Sequence, residues 1–98
     1  MRISNFMHIN QYTIETENKI YFQSYDSIIA KVENTEHGKV LTIGEHWDYS
    51  ATTRKHLYAW LYEYFSGWQG KKKDVQKMLA NKEWNGKKVN YIASHDFD

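Results

Sequence analysis

The sequence predicts an α+β domain in which a small antiparallel sheet packs against two helices, in the approximate order β-β-β-α-α-β. Two observations point there. The stretch before residue 44 is built of short runs rich in β-branched and aromatic residues, separated by Asn, Asp and Gly. After Asp48-Tyr49-Ser50 the hydrophobic spacing changes from the period of a strand to that of a helix.

Tyr12-Thr13-Ile14 and Lys19-Ile20-Tyr21-Phe22, on either side of Glu17-Asn18, read as a hairpin. Ser27-Ile28-Ile29-Ala30-Lys31-Val32 follows Tyr25-Asp26 so closely that a turn and a bulged continuous strand are equally compatible with it. Lys39 to Ile43 adds a strand after Asn34-Thr35-Glu36-His37-Gly38, giving a meander of about three strands with one face on a core. Ser50 or Asp48 caps a helix beginning near Ala51, with Thr52 or Thr53 as the cap if it starts later. With Leu57 at 0° and about 100° per residue, Trp60, Leu61, Tyr64, Phe65 and Trp68 fall between about -60° and +80°. Gly67 and Gly70 break this helix, and Lys71 to Asn81 forms a second one with Val75, Met78 and Leu79 as its apolar edge. Three lysines in its first turn oppose the helix dipole, so it requires tertiary contacts or an anion. Asn85-Gly86 turns the chain into a last strand, Lys88 to Ile92, which either sheet edge could receive.

Ninety-eight residues, 41% hydrophobic and 26% charged, suit one compact domain over 1-98 with flexible ends. Mass scaling leaves about 5,900 Å² exposed on folding, enough burial for one modest core. The absence of cysteine excludes disulfides, thiol redox chemistry and thiolate metal sites. No apolar run reaches membrane-spanning length, and the N-terminus lacks a signal peptide's apolar stretch, so a cytoplasmic protein with no membrane contact is expected.

The net charge of +1 conceals a polarised chain. Residues 71 to 88 hold seven lysines against Asp74 and Glu83, whereas residues 1 to 70 hold six basic and eight acidic side chains. Lys71, Lys72, Lys73 and Lys77, extended by Lys82, Lys87 and Lys88, form the sharpest candidate contact cluster, with Trp84 beside it as an anchor or as cover for the second helix. Without arginine the cluster can touch phosphates but not read bases. It could equally be a solvated face. Tyr58 and Tyr62 lie at the rim of the first helix's core stripe, where such rings cover the core edge, anchor a protein contact or stack on unpaired bases. The acidic side chains of residues 15 to 48 are too interleaved with Lys19, Lys31 and Lys39 to mimic a phosphate track.

The chain has no glycine-rich phosphate loop, nucleophile elbow, zinc-protease motif or calcium loop, so neither catalysis nor a cofactor is expected. His46, Asp48 and His56 come nearest to a metal or acid-base set, but two histidines near a helix entrance more often satisfy local backbone groups. His8, His37 and His95 have no chemical partner at local spacing.

Two blocks, Tyr21-Phe22-Gln23-Ser24-Tyr25-Asp26-Ser27-Ile28-Ile29-Ala30 and Trp47-Asp48-Tyr49-Ser50-Ala51-Thr52-Thr53-Arg54-Lys55-His56-Leu57, resemble small uncharacterised proteins encoded by phages and mobile elements. The resemblance covers roughly residues 12 to 65. Locally, the first block supplies a tyrosine-rich strand edge, and the second supplies a helix cap with Tyr49 covering the helix entrance. The resemblance implies a phage-encoded inhibitor of a bacterial defence system, such as an anti-CRISPR protein, working in the bacterial host cytoplasm. Its partner would be an effector protein or ribonucleoprotein, whose target-DNA entry is blocked by the exposed tyrosines and the Lys71 to Lys88 face. The alternatives are an accessory protein binding single-stranded nucleic acid and a phage assembly factor, the latter expected to form a homodimer through a free sheet edge.

Overall fold

The structure, a computed structural model, describes residues 1–93 and 97, without the side chains of His8 and Ile9. His95 and the imidazole of His8 therefore lie outside the described residues. Seven strands make one sheet: β1 (Arg2–Phe6), β2 (His8–Glu15), β3 (Lys19–Ser24), β4 (Ser27–Thr35), β5 (Gly38–Gly44), β6 (Glu83–Trp84) and β7 (Lys87–Ile92). Their spatial order is β1-β2-β3-β4-β5-β7-β6. The two helices are α1 (Ala51–Tyr64) and α2 (Lys72–Asn81), with a short 3-10 turn at Glu45–Asp48. The α+β class with two helices on a sheet is as expected, but the meander has five strands rather than three. The C-terminal strand also arrives as half of a hairpin.

The last strand settles beside β5, and the pair is parallel, with Leu41 opposite Val89. A parallel neighbour requires a long crossover, which the two helices provide. The sheet is therefore mixed rather than purely antiparallel. The hairpin before it turns on Asn85 and Gly86, at φ 52° and 81°, the two positive values that a two-residue turn of matching twist demands. Between β3 and β4 the structure has the turn and not a continuous strand, since the two segments pair antiparallel. Tyr25 and Asp26 turn the chain, and a bulge beside Phe22 leaves Ile29 between the pairs Phe22–Ala30 and Gln23–Ile28.

Alternation aligns apolar residues across one sheet face. Ile20, Val32, Leu41 and Val89 are successive cross-strand partners, and Phe22, Ala30 and Ile43 form a second row. Helix α1 lies on this face with Leu57, Trp60 and Leu61 fully buried, and Phe65 and Trp68 continue the same stripe beyond its end. Trp60 stacks on Phe22 at 5.8 Å, and Tyr64 meets Phe6 at 6.2 Å. Ser50 caps α1 as expected, its hydroxyl accepting the Thr53 N–H at 3.1 Å. At the other end Lys39 Nζ donates to the Tyr64 carbonyl at 3.1 Å, a cation where the dipole favours one.

Helix α2 buries Val75 and Met78 and half-buries Leu79. Its lysine-laden first turn finds the required anions within the chain. Asp74 accepts the Lys71 N–H at 2.7 Å, and Asp48 pairs with Lys72 at 3.2 Å. The accessible surface is 6102 Å², close to that expected from mass. Among the described residues no helix is long and apolar enough to cross a membrane.

Candidate functional site at the loop end of the sheet

One end of the sheet gathers the β1–β2 and β3–β4 turns, the end of β5 and the start of α1. A cavity of about 560 Å³ opens there, within the size range of ligand sites. Ser24, Ser27 and Ser50 contribute hydroxyls to its lining, and Tyr25, Asp26 and Tyr49 stand exposed around it. Ser24 is buried, 5% exposed, whereas Tyr25 is 59% and Tyr49 80% exposed. Tyr49 thus does not cover the helix entrance. Its ring stands in solvent because the turn from the 3-10 segment into α1 directs Trp47, not Tyr49, into the core.

Tyr25 is held in the left-handed region at φ 54°, where a residue bearing a β-carbon is uncommon. Two hydrogen bonds fix it there: its N–H donates to the Asn10 carbonyl at 2.7 Å, and its carbonyl accepts from Gln23 Nε2 at 2.6 Å. Met7, 71% exposed, stands at the tip of the neighbouring turn with φ 66°. Three turns at one end therefore each hold a large apolar side chain in water, two of them on strained backbone.

A model of a family of unknown function, DUF8033, matches residues 3–82. The chain belongs to the DUF8033 family. No curated protein and no solved structure matches it. In this DUF8033 member the matched segment contains the whole cavity, whereas Trp84, Lys87 and Lys88 lie beyond it.

The lysines adjacent in sequence are dispersed in the DUF8033 fold. Lys72 is bound to Asp48, and Lys71 precedes α2 with its amide held by Asp74. Lys73 and Lys77, four residues apart on α2, are exposed. Lys82, also exposed, ends α2 at φ 56°. Lys87 and Lys88, consecutive on β7, project to opposite sheet faces. Lys87 Nζ lies 5.9 Å from the Trp84 ring centre, and half-buried Trp84 packs on Phe65 at 5.2 Å, so this tryptophan belongs largely to the core margin. Of the two rim tyrosines, Tyr58 is half-buried against Trp68 at 5.8 Å, and Tyr62 is 56% exposed. Burial raises the Tyr58 phenol above its usual pKa of 10.0; Arg54 opposes the shift, while Asp48 and Asp74 add to it.

His46, Asp48 and His56 do not converge. His56 is buried with Nδ1 2.9 Å from the Thr52 carbonyl, His46 is exposed, and Asp48 is engaged by Arg54 at 2.5 Å and by Lys72. Burial works to raise the Asp48 carboxyl, but hydrogen bonds from Arg54 and Lys72, with their positive charges, outweigh it and hold the pKa below 3.8. Among the described residues no group of three His, Asp or Glu side chains is placed to hold a metal ion. The two blocks singled out in the sequence meet at the cavity. Tyr25, Asp26 and Tyr49 were nevertheless absent from the expected site residues. The signal for them was a tyrosine beside a polar turn residue in each block, which local spacing alone reads as folding.

Proposed function

We propose that this protein is a non-catalytic binding module that acts by covering a surface of a larger protein. Its setting would be phage-encoded inhibition of a bacterial defence effector, an anti-CRISPR activity among the forms this can take. The observation that carries the binding reading is the exposure of Met7, Tyr25 and Tyr49 on turns at one end of the fold. These side chains leave most of their surface in water, and the left-handed backbone at Met7 and Tyr25 costs stability. Tyrosine and methionine are suited to protein contacts: tyrosine gives a large flat area at small entropy cost, and methionine adapts to its partner. The defence setting rests on the resemblance of the two sequence blocks to phage proteins. The inhibition it entails is steric, an occupied surface of about 800 Å² per partner being of ordinary size.

The test joins affinity capture from bacterial lysate, with and without nuclease, to reconstitution of the captured complex from purified components and an assay of the effector's cleavage of target DNA. A stoichiometric protein complex that withstands nuclease, blocks cleavage and is weakened by the Tyr25→Ser/Tyr49→Ser double variant is expected. Loss of every partner on nuclease treatment, together with direct affinity for single strands that falls steeply with salt, would transfer the function to nucleic-acid binding. Binding unchanged in the double variant, with unfolding temperature also unchanged, would remove the loop end from the interface.

A further inference from the structure

We infer that the loop-end cavity receives an arginine side chain presented by the partner. This rests on the binding-module reading and names the chemistry by which it recognises its target. The charge distribution is the first argument. The cavity lining contains the Asp26 carboxylate and neither lysine nor arginine, whereas Asp48, next to Tyr49 in the chain, is already paired with Arg54 and Lys72. A cationic side chain entering the cavity therefore meets the Asp26 carboxylate and no lysine or arginine among the lining residues.

The lining supplies the second argument. A guanidinium is a flat cation with five N–H donors and no acceptor, and it stacks on aromatic faces. Tyr25 and Tyr49 offer aromatic rings, the Asp26 carboxylate offers a charged acceptor, and Ser27 and the buried Ser24 stand in the same lining. Asp26 has no ion-pair partner among the described residues. Phosphate fits less well. No lysine or arginine lines the cavity, where His46 stands with Asp26, and the Asp26 carboxylate would repel an anion. The start of α1 favours an anion, but Ser50 already accepts from the Thr53 amide there, and the Arg54 N–H donates to the Ser50 carbonyl at 3.0 Å. Lysine carries the same charge, but it lacks the planar fork and the stacking surface.

Two-dimensional amide NMR on the isotope-labelled full chain at pH 7.5 and low salt tests this, with acetyl-Gly-Arg-Gly-amide as the probe. Acetyl-Gly-Lys-Gly-amide and inorganic phosphate serve as comparisons. The expected result is a saturable shift of signals confined to residues 24–29 and 46–53, tighter for the arginine peptide than for the lysine peptide. Asp26→Asn and Tyr49→Ala are each expected to weaken it by about two- to fivefold, the range for exposed ion pairs and cation–π contacts. Equal response to both peptides, a response centred on another surface, or preferential binding of phosphate at the cavity would overturn the proposal. So would unchanged affinity in Asp26→Asn and Tyr49→Ala when their spectra show the native fold. A reconstituted protein complex insensitive to Asp26→Asn but lost on Tyr25→Ser/Tyr49→Ser would reject the arginine assignment while leaving the binding module standing.

Discussion

Asp48 is the joint between the two helices, and replacing it with asparagine measures what that joint contributes. One oxygen pairs with Arg54 on α1 at 2.5 Å and the other with Lys72 on α2 at 3.2 Å. All three side chains are partly exposed, at 33%, 26% and 48% for Asp48, Arg54 and Lys72, so the screened surface range of about 0.2–1 kcal/mol per pair applies. Two pairs sharing one carboxylate then amount to about 1 kcal/mol. For a chain of this size that lowers Tm by about 5 °C. The pH dependence has a defined sign. The folded-state pKa of Asp48 is depressed, so its contribution is full above the unfolded value of about 3.9 and disappears as pH falls through the folded value, below 3.8. Thermal unfolding followed by circular dichroism on wild type and Asp48→Asn is expected to show a constant gap from pH 5 to 8 that narrows as the pH falls below 3.8. Lys72→Met, alone and combined with Asp48→Asn, completes a double-mutant cycle with a coupling of a few tenths of a kcal/mol or more. A gap that does not narrow as the carboxylate is protonated at acid pH, or a coupling of zero, would refute the view that charge pairing across the helices holds α2 in place.

Two further outcomes follow from local geometry. A β-carbon at Gly70 would lie 2.7 Å from the Asp74 Cβ, which is no flexible chain end, so Gly70→Ala is expected to displace Asp74 from the Lys71 amide. The cost is about 1–2 kcal/mol, read as a lower denaturant midpoint with unchanged slope and faster amide exchange at Lys71. Tyr58 is expected to ionise above pH 10.0, the ordinary value for a phenol. Because the folded state holds that proton more tightly, stability is lost as pH rises above the unfolded value, and Tyr58→Phe is expected to remove a late step from the ultraviolet phenolate titration and flatten the alkaline fall in stability.

Helix α1 was legible because its apolar residues recur at one angular position on the wheel, and a buried stripe needs no knowledge of what it packs against. The strands β2 to β5 were legible for the same reason at period two, and Asn85-Gly86 because few residues other than this pair accept two positive φ values in succession. β1 was not legible. Arg2–Phe6 is a sheet edge with all but Phe6 exposed, and an edge strand bears little hydrophobic pattern. Nor could local pattern place β7, since alternation tells which face a strand buries but not which neighbour it joins. That was decided by the crossover through α1 and α2, which returns the chain beside β5.

The candidate site divides along the same line. The composition of each segment, including the polarity of charge between residues 1–70 and 71–88, is a property of the chain as written. Tertiary structure separated Lys87 from Lys88 across a sheet, spent Lys72 on Asp48, and brought Ser24, Tyr25 and Asp26 to the same cavity as Tyr49 and Ser50. Periodicity reports whether a side chain is buried, because burial follows from local backbone geometry. Which distant side chains share a cavity depends on how whole elements pack, and that information exists only once the sheet and its helices are assembled.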